Sequence, residues 1–228
     1  MLVKNWMNRK IVTVNADDCM LDATKALKEH DIRMLPVLKD GKLVGVITDR
    51  DLKRASASDA TTLEAHELLY IIANIKIEEI MTRDPFTVFH DYTVEEAAEM
   101  LLKNKISGAP VLGVAGDVVG IITQTDIFRV LISLTGVGKR GVQIAFRLED
   151  HPGSIKEVAD IIRSYGGRMA SILTSYEQAP KGYRHVYIRF YEIDRTRLNQ
   201  LIDMCKKTAT LLYMVDHREN KREIYEDR

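Results

Sequence analysis

The stretch GVITDRD, Gly45–Asp51, returns as GIITQTD, Gly120–Asp126, and no other feature of the chain constrains its fold as strongly. The match extends backwards. Met7 aligns with Met81, Thr13 with Thr87, Ala23 with Ala97, Leu27 with Leu101, Ile32 with Ile106 and Pro36-Val37 with Pro110-Val111, all at an offset of 74. One extra residue in LGVAGD relative to LKDG then moves the offset to 75 for Thr48/Thr123 and Asp51/Asp126. A glycine-containing turn is where a duplicated unit tolerates an insertion. The chain therefore carries two copies of one supersecondary unit.

Each copy reads as strand, helix, strand, strand, helix. In the first, IVTV is a short strand and Cys19–His30 a helix, with Leu21, Lys25-Ala26-Leu27 and Lys28 giving a period near 3.6. MLPVL is a buried strand, KDGK a hairpin turn, KLVGVIT the next strand, and a helix opens near Asp49. Between the copies, SASDATTLEAHELLYIIANIKIEEIM begins as a loop and is expected to turn helical over Leu63–Asn74. After Leu131 the character changes: ISLTGVGKRG, with three glycines, reads as a linker. The segment beyond this linker has the order βαββαβ, which suggests a helix pair on one face of an antiparallel sheet. Its first helix carries an apolar stripe of Ile155, Val158, Ile161 and Ile162. The closing HRENKREIYEDR is charged, mixed in sign and expected to be frayed or solvent-exposed. The resulting division is 1–60, a helical linker 61–76, 77–134, a short linker 135–139, 140–217 and a tail 218–228.

With 46% hydrophobic and 29% charged residues, the composition is that of a soluble globular protein. The 33 basic and 33 acidic residues cancel, which gives no support for a nucleic-acid partner at the whole-chain level and leaves room for a local basic patch. MLVKNWMNRKIVTV does not read as a signal peptide, and no segment approaches the ~18 consecutive apolar residues of a membrane span. Cys19 and Cys205 lie far apart within helical patterns, which argues against a disulfide framework or a metal site and for a reducing, cytoplasmic setting.

No catalytic constellation emerges. GKLVGVIT lacks the spacing of a phosphate-gripping loop, and His66-Glu67-Leu68-Leu69-Tyr70 begins like a zinc-binding helix but ends in Tyr. There is no G-x-S-x-G elbow. The expectation is a protein that is not an enzyme, without catalytic residues, metal or catalytic cofactor.

The duplicated turn carries the chemistry. A Thr at the mouth of a helix offers its hydroxyl beside free backbone N–H groups and the positive dipole end, which favour phosphate. An Asp three residues on shares that face, and its acceptor-only carboxylate suits a ribose diol. A plain capping box has the same T-x-x-D pattern and explains a single copy equally well. What favours a site is the neighbourhood: Arg50, Lys53 and Arg54 follow Thr48, whereas Gln124, Thr125 and Arg129 follow Thr123. Two unequal pockets are expected, the Thr48/Asp51 pocket being better suited to polyphosphate.

With hPV in the first hairpin strand and G-h-h-T-x-x-D closing the second, the duplicated unit resembles a pair of cystathionine-β-synthase (CBS) domains, a Bateman module. The tail unit, with Asp150-His151-Pro152-Gly153-Ser154 after its first strand, resembles an ACT domain. The CBS–ACT order is similar to that of the acetoin-utilisation B-type proteins of bacteria. The resemblance implies an α+β / α/β chain: a tandem CBS pair (1–60 and 77–134) followed by a ferredoxin-like ACT domain (140–217). It also implies that Thr48, Asp51, Thr123 and Asp126 hold phosphate and ribose.

The resemblance further implies an adenine nucleotide, whose ring would lie against Thr13-Val14, Met34-Leu35-Pro36, Thr87-Val88 and Gly108-Ala109-Pro110. Core packing accounts for Val14, Leu35 and Val88 at least as well, whereas Gly108 and Ala109 are small enough for a ring to approach the backbone. Arg33 is either a phosphate ligand or a solvated helix-end charge. Asp150, Pro152, Gly153 and Ser154 are candidates for an amino-acid site, although Pro and Gly before a helix are also ordinary start signals.

Two functions are expected from these readings. In the first, a regulatory module senses AMP, ADP, ATP or a related adenosyl ligand through the CBS pair. In the second, an amino-acid sensor works through the ACT unit, with the CBS pair as a dimerisation scaffold. Both imply a homodimer or higher homo-oligomer, an unidentified protein partner as a further option, and neither nucleic acid nor membrane.

Overall fold

Asp40 and Gly41 both sit at positive φ, 51° and 75°, as a two-residue hairpin loop requires to follow the twist of its strands. They join β2 (Met34–Lys39) to β3 (Lys42–Thr48), antiparallel with Met34 opposite Thr48. β1 (Val14–Asn15) lies parallel to β2, so that of the expected IVTV strand only Val14 is in the ladder, followed by Asn15. In the second copy β5 (Val88–Phe89), β6 (Gly108–Leu112) and β7 (Val118–Thr123) repeat the arrangement, with Gly108 opposite Thr123. Even the register shift recurs, between Val37 and Leu38 and between Val111 and Leu112. The longer second turn closes with Gly113 N–H donating to the Asp117 carbonyl at 2.8 Å.

This computed structural model describes residues 1–59 and 73–225. The helical reading of Leu63–Asn74 and the His66–Tyr70 stretch fall almost wholly on residues 60–72, outside the described residues.

The helices start for the same local reason. α1 (Met20–Glu29) opens with Cys19, whose N–H and thiol both donate to Asp22 Oδ2, at 3.2 and 2.9 Å. Its equivalent in the second copy opens with Thr93, whose N–H and hydroxyl donate to Glu96 Oε2, at 2.7 and 2.9 Å. Each is a reciprocal box that satisfies donors the helix start would otherwise leave open. The buried stripes match as well: Met20, Ala23 and Leu27 in α1, and Val94, Ala97 and Leu101 in the second. That stripe is the face that packs; of the face read from the sequence it shares Leu27, while Lys25 and Lys28 are exposed. α2 (Asp49–Asp59) follows β3; α3 (Ile77–Ile80), α4 (Val94–Lys103) and α5 (Gln124–Thr135) come after it.

Each copy is completed by the segment that precedes the other. β4 (Thr82–Arg83) pairs with β3 through Gly45↔Arg83 and Val46↔Thr82, and Asn8 bridges Ile121 of β7 in the same way. The Met81 sulfur lies 2.5 Å from where a Gly45 Cβ would stand, and the Met7 sulfur 2.5 Å from the same point on Gly120. Glycine is required at both places because a methionine side chain fills the position of the missing Cβ. Behind the sheets lie two cores, one around Leu35, Val37, Ile47 and Met20, the other around Val3, Val88, Val111 and Ile122.

The chain divides into two compact units, Met1–Phe128 and Arg129–Arg228. The second unit has the expected βαββαβ order in β8 (Val142–Glu149), α6 (Ser154–Ser164), β9 (Arg168–Ser175), β10 (Tyr183–Tyr191), α7 (Leu198–Thr208) and β11 (Thr210–Asp216). Its sheet runs β12-β11-β8-β10-β9, with every described pairing antiparallel. Val158, Ile162, Leu201 and Cys205 pack on Val142, Ile144, Phe146, Ile188 and Phe190, forming one core.

Of the two expectations for the closing segment, frayed or solvent-exposed, the second holds: residues 218–222 and Ile224 are exposed, and the segment is paired rather than frayed. Lys221–Ile224 forms β12, hydrogen-bonded to β11 from Asp216↔Lys221 to Tyr213↔Ile224. A short charged strand suits a sheet edge, where lysine and arginine discourage pairing with another chain. Among the described residues, no helix is long and apolar enough to cross a membrane.

Candidate functional site

The repeated turn is built identically in both copies. Thr48 N–H donates to Asp51 Oδ2 at 3.0 Å, its hydroxyl to the same oxygen at 2.6 Å, and Asp51 N–H returns to Thr48 Oγ1 at 3.3 Å. Thr123 and Asp126 repeat these contacts at 3.0, 2.6 and 3.3 Å. Both carboxylates are buried, at 8% and 6% exposure. The capping box and the candidate ligand groups are thus the same atoms. In both copies the first helical N–H turns back to the preceding loop, Asp49 to the Arg33 carbonyl at 3.2 Å and Gln124 to that of Ser107 at 2.9 Å.

The cations are arranged differently from the simple expectation. Arg54 donates to Asp51 Oδ1 at 3.0 Å, and Lys53 pairs with Asp49 at 3.3 Å. Three- and four-residue spacings on a helix bring such pairs together, so two of the three charges expected to face phosphate are engaged along α2. Arg50 and Arg33 are exposed. In the second copy the equivalent positions hold Thr125 and Ser107.

Of the proposed adenine-lining residues, Val14, Leu35, Val88 and Ala109 are core: the first three belong to the two hydrophobic clusters, and Ala109 is fully buried. Pro36 and Pro110 are buried opposite Val46 and Ile121, Thr13 is exposed and Thr87 half-buried. Gly108, read as leaving room for a ring, faces a filled space. A Cβ there would meet Met34 Cε at 3.1 Å and Thr123 Cγ2 at 3.2 Å. Met34, Gly108 and Thr123 therefore converge on one spot, where the first copy reaches the mouth of the second. The signal missed in the sequence was the Met34/Gly108 mismatch at otherwise equivalent positions.

In the second unit, Asp150 Oδ1 lies 3.4 Å from both Arg184 Nε and the Tyr176 hydroxyl. Arg184 Nη2 donates to Ser154 Oγ at 3.0 Å. Pro152 and Gly153 are exposed, Gly153 at φ 95°. Beside this turn opens a cavity of about 330 Å³, bordered by Ser154 together with Glu149, His151, Glu157, Tyr183 and Thr208. Of that lining, the sequence offers Ser154 as a candidate and His151 as part of the same turn. Among the described residues, no group of three or more His, Cys, Asp or Glu is placed to hold a metal ion.

With this geometry in place, the chain belongs to the CBS domain family. The CBS domain profile matches residues 3–58 and 77–133. A CBS domain-containing protein of Dictyostelium discoideum is 34% identical over 134 residues, covering 58% of this chain and 92% of that protein. An inosine-5′-monophosphate dehydrogenase of Korarchaeum cryptofilum is 30% identical over 125 residues, which span 55% of this chain but 23% of the enzyme. Among solved structures, the CBS domain pair of protein MJ0100 is 35% identical with a TM-score of 0.50, covering 57% of this chain and 99% of that one. That pair was solved in complex with 5′-methylthioadenosine and S-adenosyl-L-methionine.

Proposed function

We propose that the chain is a regulatory binding protein whose CBS pair holds an adenosyl ligand and communicates its presence to the second unit or to a partner. The observation that carries this reading is the pair of identical, buried Thr-x-x-Asp mouths. A hydroxyl and a carboxylate at a helix start suit the phosphate and ribose of a nucleotide. The ligands of the MJ0100 pair share the adenosyl group and lack phosphate, so they support the class rather than any one nucleotide. A ligand shifts the arrangement only through different affinities for two states, and its binding exchanges the internal Thr–Asp contacts for ligand contacts. The protein acts as a cytoplasmic homodimer or higher homo-oligomer and does no chemistry of its own.

The test is calorimetry of AMP, ADP, ATP, S-adenosylmethionine and methylthioadenosine on the full chain. Affinity should fall on the order of tenfold or more at one site in Thr48→Ala/Asp51→Ala and at the other in Thr123→Ala/Asp126→Ala, with circular dichroism unchanged. Unaltered affinity in both double variants refutes the assignment.

A second reading rests on the cavity beside Ser154. The βαββαβ order and the sheet order β11-β8-β10-β9 support a ferredoxin-like ACT domain over 140–217, as in the acetoin-utilisation B-type proteins. There Asp150, Pro152, Gly153 and Ser154 would border an amino acid, with the CBS pair as scaffold. A thermal-shift panel of adenosyl compounds and the twenty amino acids on the full chain separates the two readings: a response to an amino acid favours the second, and a response to adenosyl compounds alone favours the first.

A further inference from the structure

Arg189 occupies the middle of β10, opposite Gln143 on β8 and Ser171 on β9. Its strand neighbours Ile188 and Phe190 enter the core under α6 and α7, so alternation directs Arg189 to the other face of the sheet. It is nevertheless 5% exposed. Nε donates to the Thr135 carbonyl at 2.7 Å and Nη2 to Gln143 Oε1 at 2.5 Å. Nη1, with two further N–H donors, meets no acceptor. Both acceptors in use are neutral, and burial pushes the guanidinium below its ordinary value, with only Tyr213 acting the other way.

A purely structural role explains part of this. Thr135 ends α5, and its carbonyl, which also accepts from Ser171 Oγ at 2.9 Å, carries part of the negative end of the helix dipole. That accounts for Nε. It sets a partial charge against a whole one and leaves Nη1 without an acceptor, an arrangement proteins rarely keep in a buried charge.

The surroundings add positive charge. Arg222 on β12 stands opposite Val215, Val215 opposite Gln143, and Gln143 opposite Arg189, in one row across the sheet. Half-buried His217 feels the charges of both arginines, opposed by the weaker influence of the Asp216 carboxylate, which is itself paired with Arg195. Gln143 is held in orientation by its Nε2 donating to the Tyr213 hydroxyl at 3.1 Å.

We propose that this corner of the second unit is a binding site for a small oxyanion, a carboxylate or a phosphate, which completes Arg189 through Nη1 and meets Arg222 at the rim. Charge-assisted bonds to a guanidinium fork are the strong ones for such groups. Because Nη1 is sealed from solvent, entry involves a local opening, and the bound anion raises thermal stability.

The experiment uses the full chain, titrated with inorganic phosphate and separately with acetate at ionic strength fixed by sodium chloride, read by melting temperature and calorimetry. A saturable rise is expected, and whichever anion acts at lower concentration identifies the class. The response should weaken on the order of tenfold in Arg189→Met and severalfold in Arg222→Ser, an exposed position that decides the matter if Arg189→Met fails to fold. It should persist in Thr48→Ala/Thr123→Ala, which separates it from anion binding at the CBS mouths. No saturable response, or one unchanged in both arginine variants, overturns the proposal.

Discussion

The Met34 Cε methyl lies 3.1 Å from the point where a Cβ on Gly108 would stand. The two residues are counterparts in the duplication, 74 positions apart. Near the join between copies, one side chain therefore occupies the space that its counterpart vacates. Two methionines or two glycines would leave either a clash or a gap.

Gly108→Ala consequently overpacks this point, since the new methyl also meets the Ile122 carbonyl at 3.1 Å and Thr123 Cγ2 at 3.2 Å. We expect a loss of about 1–2 kcal/mol in urea unfolding. Adding Met34→Ala should recover part of it, because the side chain yields and the Ile122 backbone does not. A double-mutant cycle with no coupling would show that the two copies do not close on each other here.

The reciprocal caps of α1 and α4 set an acid limit for the first unit. Hydrogen bonds from the Thr93 N–H and then its hydroxyl hold Glu96 below its ordinary 4.5. The Cys19 thiol and N–H hold Asp22 below its ordinary 3.8. A carboxylate whose folded value is depressed stabilises the fold above its unfolded value, and this contribution is lost as pH falls through the folded one. Stability should therefore decline as pH drops below about 4.5, and Glu96→Gln should flatten that decline in denaturant titrations between pH 5 and 3. An unchanged slope would remove the cap as its cause.

How much of this was visible in the residues differs from feature to feature. The strand pairing of both copies and the T-x-x-D boxes are local patterns written twice, and duplication separated them from chance; the Asp40-Gly41 turn is written once and is legible from its own Asp-Gly signal. The engagement of Lys53 and Arg54 with Asp49 and Asp51 was available from helical spacing alone, but a row of cations after a helix mouth invites a ligand reading first. β12 was missed because Lys221–Ile224 is short and charged, and only a neighbouring edge, β11, makes it a strand. The Met34/Gly108 fit depends on how the copies meet and is written in neither of them. Arg189 reads as an ordinary outward strand residue until its burial is known.

The two cysteines should behave oppositely. Burial pushes the Cys205 thiol from its ordinary 9.0 up to about 12, while Cys19 is half-exposed at the start of α1. Because the thiolate is the reactive form, iodoacetamide at pH 8 should label Cys19 in the folded chain and leave Cys205 untouched until denaturant is added. The same shift makes the Cys205 contribution fully present below pH 9 and progressively lost as pH rises toward 12. Equal labelling of both sites by peptide mass spectrometry in native buffer would contradict the packing of α7.

Asp216 offers the most demanding test of the second unit. It is fully buried at the end of β11, paired with Arg195, and accepts from the Arg218 and Glu219 N–H groups at 2.9 and 3.3 Å. One carboxylate thus neutralises a quarter-exposed arginine and shapes the turn into β12. Removing one partner of a buried pair strands the other charge, so Asp216→Ala should cost about 3–5 kcal/mol, whereas Asp216→Asn keeps an acceptor for the turn and should cost less. Hydrogen exchange distinguishes the two effects: with Asn the β11–β12 amides remain protected while global stability falls, and with Ala both are lost. Protection of β12 in Asp216→Ala equal to that of the unaltered chain would show that the edge strand is held by its own pairing and not by this carboxylate.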